Sequence, residues 1–302
     1  MAGRNRVIRM DRNQSSRTAE YMAFFRATES VRSEEKRLFR DPFAACFLRT
    51  GLRRAVSLSR VPLLAMLVDW YADRRLPGAR TSAVARTKFI DDALLRALQE
   101  SVPQVVILGA GFDCRGYRLR ELQKVAVFEV DHPDTLAVKR ALIRKVLPQL
   151  PENVHLVEMD FNRQSLPVEL PRVGFDSAQA TVFIWEGVTN YLTVRSVDSV
   201  LRYVGSCAKG TQLIFTYVDA GLLDGSVDFD GAERLLNDVR SIGEPWTFGL
   251  HPGEVAEFLA LRGLRLEGDF SACEYRAKYF GAGAQRMRGY DFYHVATAHG
   301  HE

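Results

Sequence analysis

Residues 105–119, VVILGAGFDCRGYRL, decide the fold together with residues 125–133, VAVFEVDHP. A short apolar run ends in Gly109-Ala110-Gly111, a helix-compatible segment comes next, and a second apolar run ends in acids. That order describes a β-α-β unit that holds a nucleoside ligand at the carboxyl ends of its strands. Gly109 and Gly111 permit a sharp turn and close backbone approach, because neither carries a Cβ. An acid closing the second strand is placed to accept hydrogen bonds from ribose hydroxyls. Glu129 and Asp131 both qualify, being two apart on one strand and so on one face. Cys114 stands where a dinucleotide fingerprint has its third glycine, which weighs against a bound pyrophosphate.

Outward from this unit, β-branched runs alternate with helical stretches. Further strands are predicted at 154–159, 180–185, 211–218, 264–270 and 291–298, giving seven in all. Alternation of this kind implies an α/β protein with a mostly parallel sheet covered on both faces. The last two strands succeed one another without a clear intervening helix, which suggests that the last inserts antiparallel. Before residue 100 the pattern is helical, at 15–30, 41–58 and 61–75. Asp41-Pro42 reads there as an N-cap followed by proline at the first helical position. Between the fifth strand and the segment HPGEVAEFLALRG, residues 220–250 form an extra stretch containing the amphipathic AERLLNDVRSI. It and the N-terminal helices are expected to roof a pocket above the strand ends.

Bulk properties narrow the function classes. A length of 302 residues fits one large α/β domain or two small ones, and 47% hydrophobic residues suffice for a buried core. The net charge of +4 is mild, and Arg4, Arg6, Arg9, Arg12 and Arg17 crowd the beginning of the chain, so no nucleic-acid partner is expected. The apolar run at 61–72 is broken by Asp69, and no apolar stretch comes after the N-terminal arginines. Neither a membrane span nor a secretory signal is expected, and the start reads as a frayed tail. Cys46, Cys114, Cys207 and Cys273 show no paired spacing, arguing against zinc and against a disulfide framework. A cytoplasmic location with reduced thiols, no metal and no membrane partner is the expectation.

Five blocks carry a family resemblance: RTAEYMAFFRATES, ARTKFID, LGAGFDCRGYRL, FEVDHP and EGVTNYL, with a weaker sixth at 244–263. In this order they resemble the leucine carboxyl methyltransferase family, in particular its bacterial branch of S-adenosylmethionine-dependent enzymes. Cys114 departs from the threonine usual in that branch. The resemblance implies a class I methyltransferase (Rossmann-like) fold with a seven-stranded, mostly parallel sheet. It further implies one domain over 1–302, with a helical cap at 1–100, a cofactor-binding core at 101–219, a helical lid insertion at 220–250 and the rest of the core at 251–302.

The implied cofactor is S-adenosyl-L-methionine, and its groups can be matched to residues. A guanidinium suits its carboxylate, and Arg86 in ARTKFID is the matching position. The Gly109 carbonyl and Glu186 are acceptors for its ammonium, although Glu186 also suits a first-turn acid at a helix N-terminus. FEVDHP points to Asp131 for the ribose, with Glu129 as rival. Asp160 is placed for the adenine amino group and Phe161 for the ring, unless Asp160 caps the next helix. Asp113 and Arg115 are signature residues that read better as braces of the loop, and Arg118 shares a helix face with Arg115. Tyr21 and Tyr191 are candidates for the substrate cavity or for packing.

The implied reaction is methyl transfer to oxygen of a small-molecule acceptor. A carboxylate acceptor is already anionic and needs no base, whereas a hydroxyl would call on His132, His251 or His294. A nicotinamide-dependent oxidoreductase and a non-catalytic cofactor-binding regulator are the alternatives. Oligomeric state is not legible in the sequence.

Overall fold

The computed structural model describes residues 17–241, 243 and 245–300. Arg4, Arg6, Arg9 and Arg12 lie outside them. The chain begins with α1 (Arg17–Ser30), α2 (Thr50–Leu58), α3 (Pro62–Arg75) and the long α4 (Ala79–Leu98). Then come β1 (Gln104–Leu108), α5 (Arg115–Arg118), β2 (Ala126–Asp131), α6 (Pro133–Ile143), β3 (Val154–Glu158) and α7 (Leu166–Glu169). The second half holds β4 (Thr181–Trp185), α8 (Val194–Gly205), β5 (Gln212–Val218), α9 (Gly221–Asp224) and α10 (Ala232–Ser241). It closes with α11 (Val255–Ala260), β6 (Leu264–Ser271), α12 (Ala272–Phe280) and β7 (Tyr293–Gly300).

The seven strands form one sheet in the order β3-β2-β1-β4-β5-β7-β6. Pairing is parallel from β3 through β5, and β7 enters antiparallel between β5 and β6. β1, β2, β4 and β5 are rich in fully buried Val, Ile, Leu and Phe, as a sheet covered on both faces requires, while the edge strand β3 is only partly buried. One face packs against α8 and α11 through residues such as Phe183, Leu201 and Leu259, and the other against α4 through Phe89, Ile90 and Leu94.

The antiparallel last strand matches the sequence reading, but the link between β6 and β7 does not. It contains α12, whose start is fixed by a capping box: Ser271 accepts from the Glu274 backbone N–H, and the Glu274 carboxylate accepts from that of Ser271. The helix is short and mixed in polarity, so periodicity alone does not reveal it. Asp41 also acts differently from expectation. Its carboxylate accepts from the backbone N–H groups of Phe43 and Ala44, yet it opens only a 3-10 turn at Ala44–Phe47. An extended Leu48 then separates the turn from α2.

The N-terminal helices surround a third apolar cluster that reaches the glycine loop. The Phe47 ring stacks on Phe112 with centroids 4.5 Å apart, and Arg26 Nη2 donates to the Phe112 carbonyl. Arg26 is itself held by Asp41 at 2.9 Å. The helices before residue 100 are thereby fastened to the loop after β1. Among the described residues, no helix is long and apolar enough to cross a membrane, none of the four cysteines is in a disulfide, and no cluster has metal-ligand composition.

Candidate active site

The register of the parallel strands brings the ends of β1, β2 and β4 level: Ile107 lies beside Glu129 on one side and Ile184 on the other. The residues just beyond these ends therefore converge. They border one continuous cavity of about 1940 Å3, whose other walls come from α1, the end of α3, the start of α4 and α10. A ligand site at the carboxyl ends of such strands is the consequence of the topology.

The turn after β1 is built by backbone geometry. Gly109 has φ +65°, and a Cβ there would lie 2.3 Å from Val188 Cγ2. Its N–H donates to the Val130 carbonyl at 2.8 Å, tying the turn to β2. Gly111 has φ +41° and donates its N–H to Asp131 Oδ2 at 2.6 Å. Asp131 Oδ1 accepts from the His132 N–H, also at 2.6 Å. Burial raises the Asp131 carboxyl above its ordinary range, although these N–H donors and the Thr135 hydroxyl pull the other way.

Glu129 occupies a different environment. It is fully buried, accepts from the Tyr117 hydroxyl at 2.9 Å and pairs with Lys139 of α6 at 2.8 Å. Burial raises its carboxyl despite Lys139. Asp131 borders the cavity and Glu129 does not. Sharing a face of β2 does not give the two acids a common surrounding, because α6 and Tyr117 cover the earlier one.

Behind the turn lies a chain of ion pairs. Arg86 Nε donates to Glu186 Oε1 at 2.9 Å, and Arg115 Nη1 to Glu186 Oε2 at 2.9 Å. Arg115 Nε reaches Asp91 Oδ1 at 2.8 Å, and Arg118 holds both oxygens of Asp91. Arg115 also pairs with Asp113, whose carboxylate accepts from the Arg115 backbone N–H. Burial disfavours the Glu186 carboxylate, but Arg115 and Arg86 outweigh it and hold the group below its ordinary range. Asp113 is likewise held down, to about 2, by Arg115 and Lys139 against the effect of burial. Arg115 and Arg118 brace the loop from within, as their burial and their pairing with acids show.

Arg86 and Glu186 both border the cavity. Arg86 lies over the Tyr293 ring at 4.9 Å, and among the described residues its Nη2 meets only the Met22 thioether, a weak acceptor, at 3.6 Å. Asp160, Phe161, Tyr21 and Tyr191 border the cavity as well. Asp160 accepts from the Asn162 N–H at 2.9 Å, an interaction that fixes the turn after β3. His132 caps α6, accepting from the Asp134 N–H at 3.3 Å, and sits at the cavity edge. His294 and His251 lie elsewhere, beside Asp269 and beside Asp219 with Asp224.

Sequence reasoning missed Asp91, the acid that anchors both Arg115 and Arg118, although it ends the block ARTKFID. It also missed the aromatic wall of Trp246, Tyr290 and Tyr293. Tyr293 was legible only as part of a strand, and Trp246 only as part of the weaker block.

The sheet order and the site at its parallel strand ends define a class I methyltransferase fold. Solved structures agree on the fold: a DUF574 family protein of Streptomyces avermitilis superposes with a TM-score of 0.58 at 16% identity, covering 91% of this chain and 96% of that one. A structure from Thermobifida fusca gives 0.56 at 17%, covering 92% and 94%. The leucine carboxyl methyltransferase family model matches residues 19–205. A Frankia alni protein provisionally named an S-adenosyl-L-methionine-dependent methyltransferase is 38% identical over 68% of this chain and 70% of its own length. One of Streptomyces coelicolor, named likewise, is 33% identical over 77% and 81%. The chain belongs to the leucine carboxyl methyltransferase family and is an S-adenosylmethionine-dependent methyltransferase.

Proposed function

We propose that the chain transfers a methyl group to an oxygen atom of a small organic acceptor, with a carboxylate as the acceptor group. The observation that carries this is the second half of the cavity. Beyond the strand ends it is walled by Tyr21, Tyr191, Trp246 and Tyr290, and its rim bears Arg75 and Arg234 against one acid, Asp238, a turn along α10 from Arg234. Neither arginine is in an ion pair among the described residues. Apolar walls with guanidinium groups at the rim suit an anion carried on an apolar body. Pockets for a single small ligand run to roughly 300–1,000 Å3, so about 1940 Å3 leaves room for cofactor and acceptor together.

The residues present fit S-adenosylmethionine. Arg86 Nη2, with only a thioether against it, is a buried charged donor that a carboxylate would satisfy. Glu186, held ionised by its two arginines, is the acceptor for an ammonium, with the Gly109 carbonyl as the second. Asp131, fixed by two backbone N–H groups, accepts from ribose hydroxyls, and Phe161 and Asp160 border the place for adenine. When bound, the cofactor supplies an electrophilic methyl group on a sulfonium. This chain's own part is to align the acceptor and keep water away. A carboxylate needs no base; His251 and His294 lie outside the cavity, and His132, at its edge, is engaged through Nδ1 with the Asp134 N–H.

The test uses methyl-labelled cofactor with matched carboxylic acids and phenols. Label released as methanol by alkali, at a rate level from about pH 6 to 9, is expected because a carboxyl ordinarily ionises near pH 4. Alkali-stable label whose rate climbs with pH identifies a hydroxyl acceptor and overturns the carboxylate reading.

A further inference from the structure

The outward face of α3 is apolar. Leu63, Met66, Leu67, Trp70 and Tyr71 recur at helical spacing along it, each between 58% and 70% exposed. Leu58 at the end of α2 and Val61 continue the patch, both at 51%. Other large exposed apolar residues, from Val138 to Leu261, are scattered singly. The opposite side of α3 packs inward through Val68 and Ala72. A contiguous exposed apolar stripe of this kind marks an interaction surface, so the outward face calls for a partner.

The charge around the patch says which partner. Arg54, Arg60 and Arg74 flank it, all exposed and none in an ion pair among the described residues. Arg54 lies one turn before Leu58 on α2, and Arg74 sits over the Trp70 ring at 5.6 Å. The two acids of α3 are each held by an arginine: Asp69 by Arg32 at 2.5 Å and Asp73, still partly exposed, by Arg80 at 2.6 Å. A second copy meeting this patch about a twofold axis would bring these arginines against their like, while both acids of α3 are already paired with arginines. Residues 1–16 carry Arg4, Arg6, Arg9 and Arg12 against one acid, Asp11, and are no better matched.

We propose that the α2–α3 face docks on an anionic lipid surface. The apolar stripe enters the headgroup boundary, Trp70 and Tyr71 lie at the level where amphipathic rings settle, and the arginines meet the lipid phosphates and carboxylates. The sequence expectation of no membrane partner rested on the lack of a span, a different mode of contact. Arg75 and Leu76, at the end of α3, border the cavity, so docking sets its mouth beside the lipid.

The experiment is co-sedimentation of the full chain with vesicles of phosphatidylcholine alone or with about a third phosphatidylglycerol. Binding to the anionic vesicles only, reversed by salt, is expected. Met66→Ser with Trp70→Ser should abolish it while circular dichroism and melting stay unchanged, since both side chains are exposed. Arg60→Gln alone should weaken it about fivefold, from ~1 kcal/mol per basic residue at a lipid surface. No binding to anionic vesicles overturns the proposal. So does self-association that M66S/W70S abolishes in the absence of lipid, which would make the face an interface between copies of this chain.

Discussion

Arg86 and Glu186, one hundred residues apart in sequence, meet at 2.9 Å on the cavity wall, with Arg115 completing the pair from behind. The acid is thereby shared between an arginine that faces the cavity and one that does not. Removing the first leaves the second in place, so the loop should survive loss of Arg86.

Arg86→Ala is therefore expected to weaken cofactor binding about ten- to a hundredfold, from the ~1.5–3 kcal/mol of hydrogen bonds to a charged group. Calorimetric titration with S-adenosylhomocysteine reads this directly. Arg86→Lys should not restore it, because an ammonium lacks the fork that holds a carboxylate. Unchanged affinity in the alanine variant would remove Arg86 from the proposed site.

Asp131→Asn and Glu129→Gln should separate cleanly. The first is expected to lower cofactor affinity about tenfold or more, and to cost roughly 1–3 kcal/mol of stability as well, since an amide can accept from only one of the two N–H groups of Gly111 and His132. The second leaves Lys139 buried beside an uncharged partner and should lose roughly 3–5 kcal/mol of stability. Its folded fraction should bind cofactor normally. Reversed phenotypes would reassign the ribose acid.

Gly109→Ala combines positive φ with contact on Val188. The conformational part costs about 1–2 kcal/mol. Adding Val188→Ala should relieve the steric part and leave the conformational one, a coupling that urea unfolding of the double-mutant cycle measures. Purely additive losses would mean that Val188 moves aside freely.

Acid should act through Asp113. Its carboxyl titrates at about 2 when folded, below the ordinary value near 3.9, so its contribution is present above about pH 4 and lost as pH falls toward 2. Asp113→Asn should cost on the order of 2 kcal/mol at pH 7, and the gap from the parent chain should close by about pH 2. A gap that persists in acid would trace the loss to packing instead of charge.

The sheet and its glycine turn were legible in the sequence because local signals specify them: Gly109 at a strand end, acids closing the next strand, and seven β-branched runs. Asp131 and Glu129 were not separable, since the difference between them comes from Lys139, on a helix whose approach the strand pattern does not encode. Asp91 was overlooked for a similar reason. Its partners Arg115 and Arg118 lie more than twenty residues away, and only the packed fold shows that one acid serves both. The box formed by Ser271 and Glu274 was readable, but its helix was too short to stand out by periodicity.

The antiparallel entry of β7 sets the order in which the protein can be completed. Leu264–Ser271 bonds to the sheet only through Tyr293–Gly300, a segment synthesised some twenty residues later. Until that last strand slides in beside β5, β6 has no neighbour. Tyr293 is also the ring under Arg86, so the cavity wall stays unfinished for the same interval. One strand thus serves both the edge of the sheet, as the partner of β6, and the cavity, through the ring beneath Arg86.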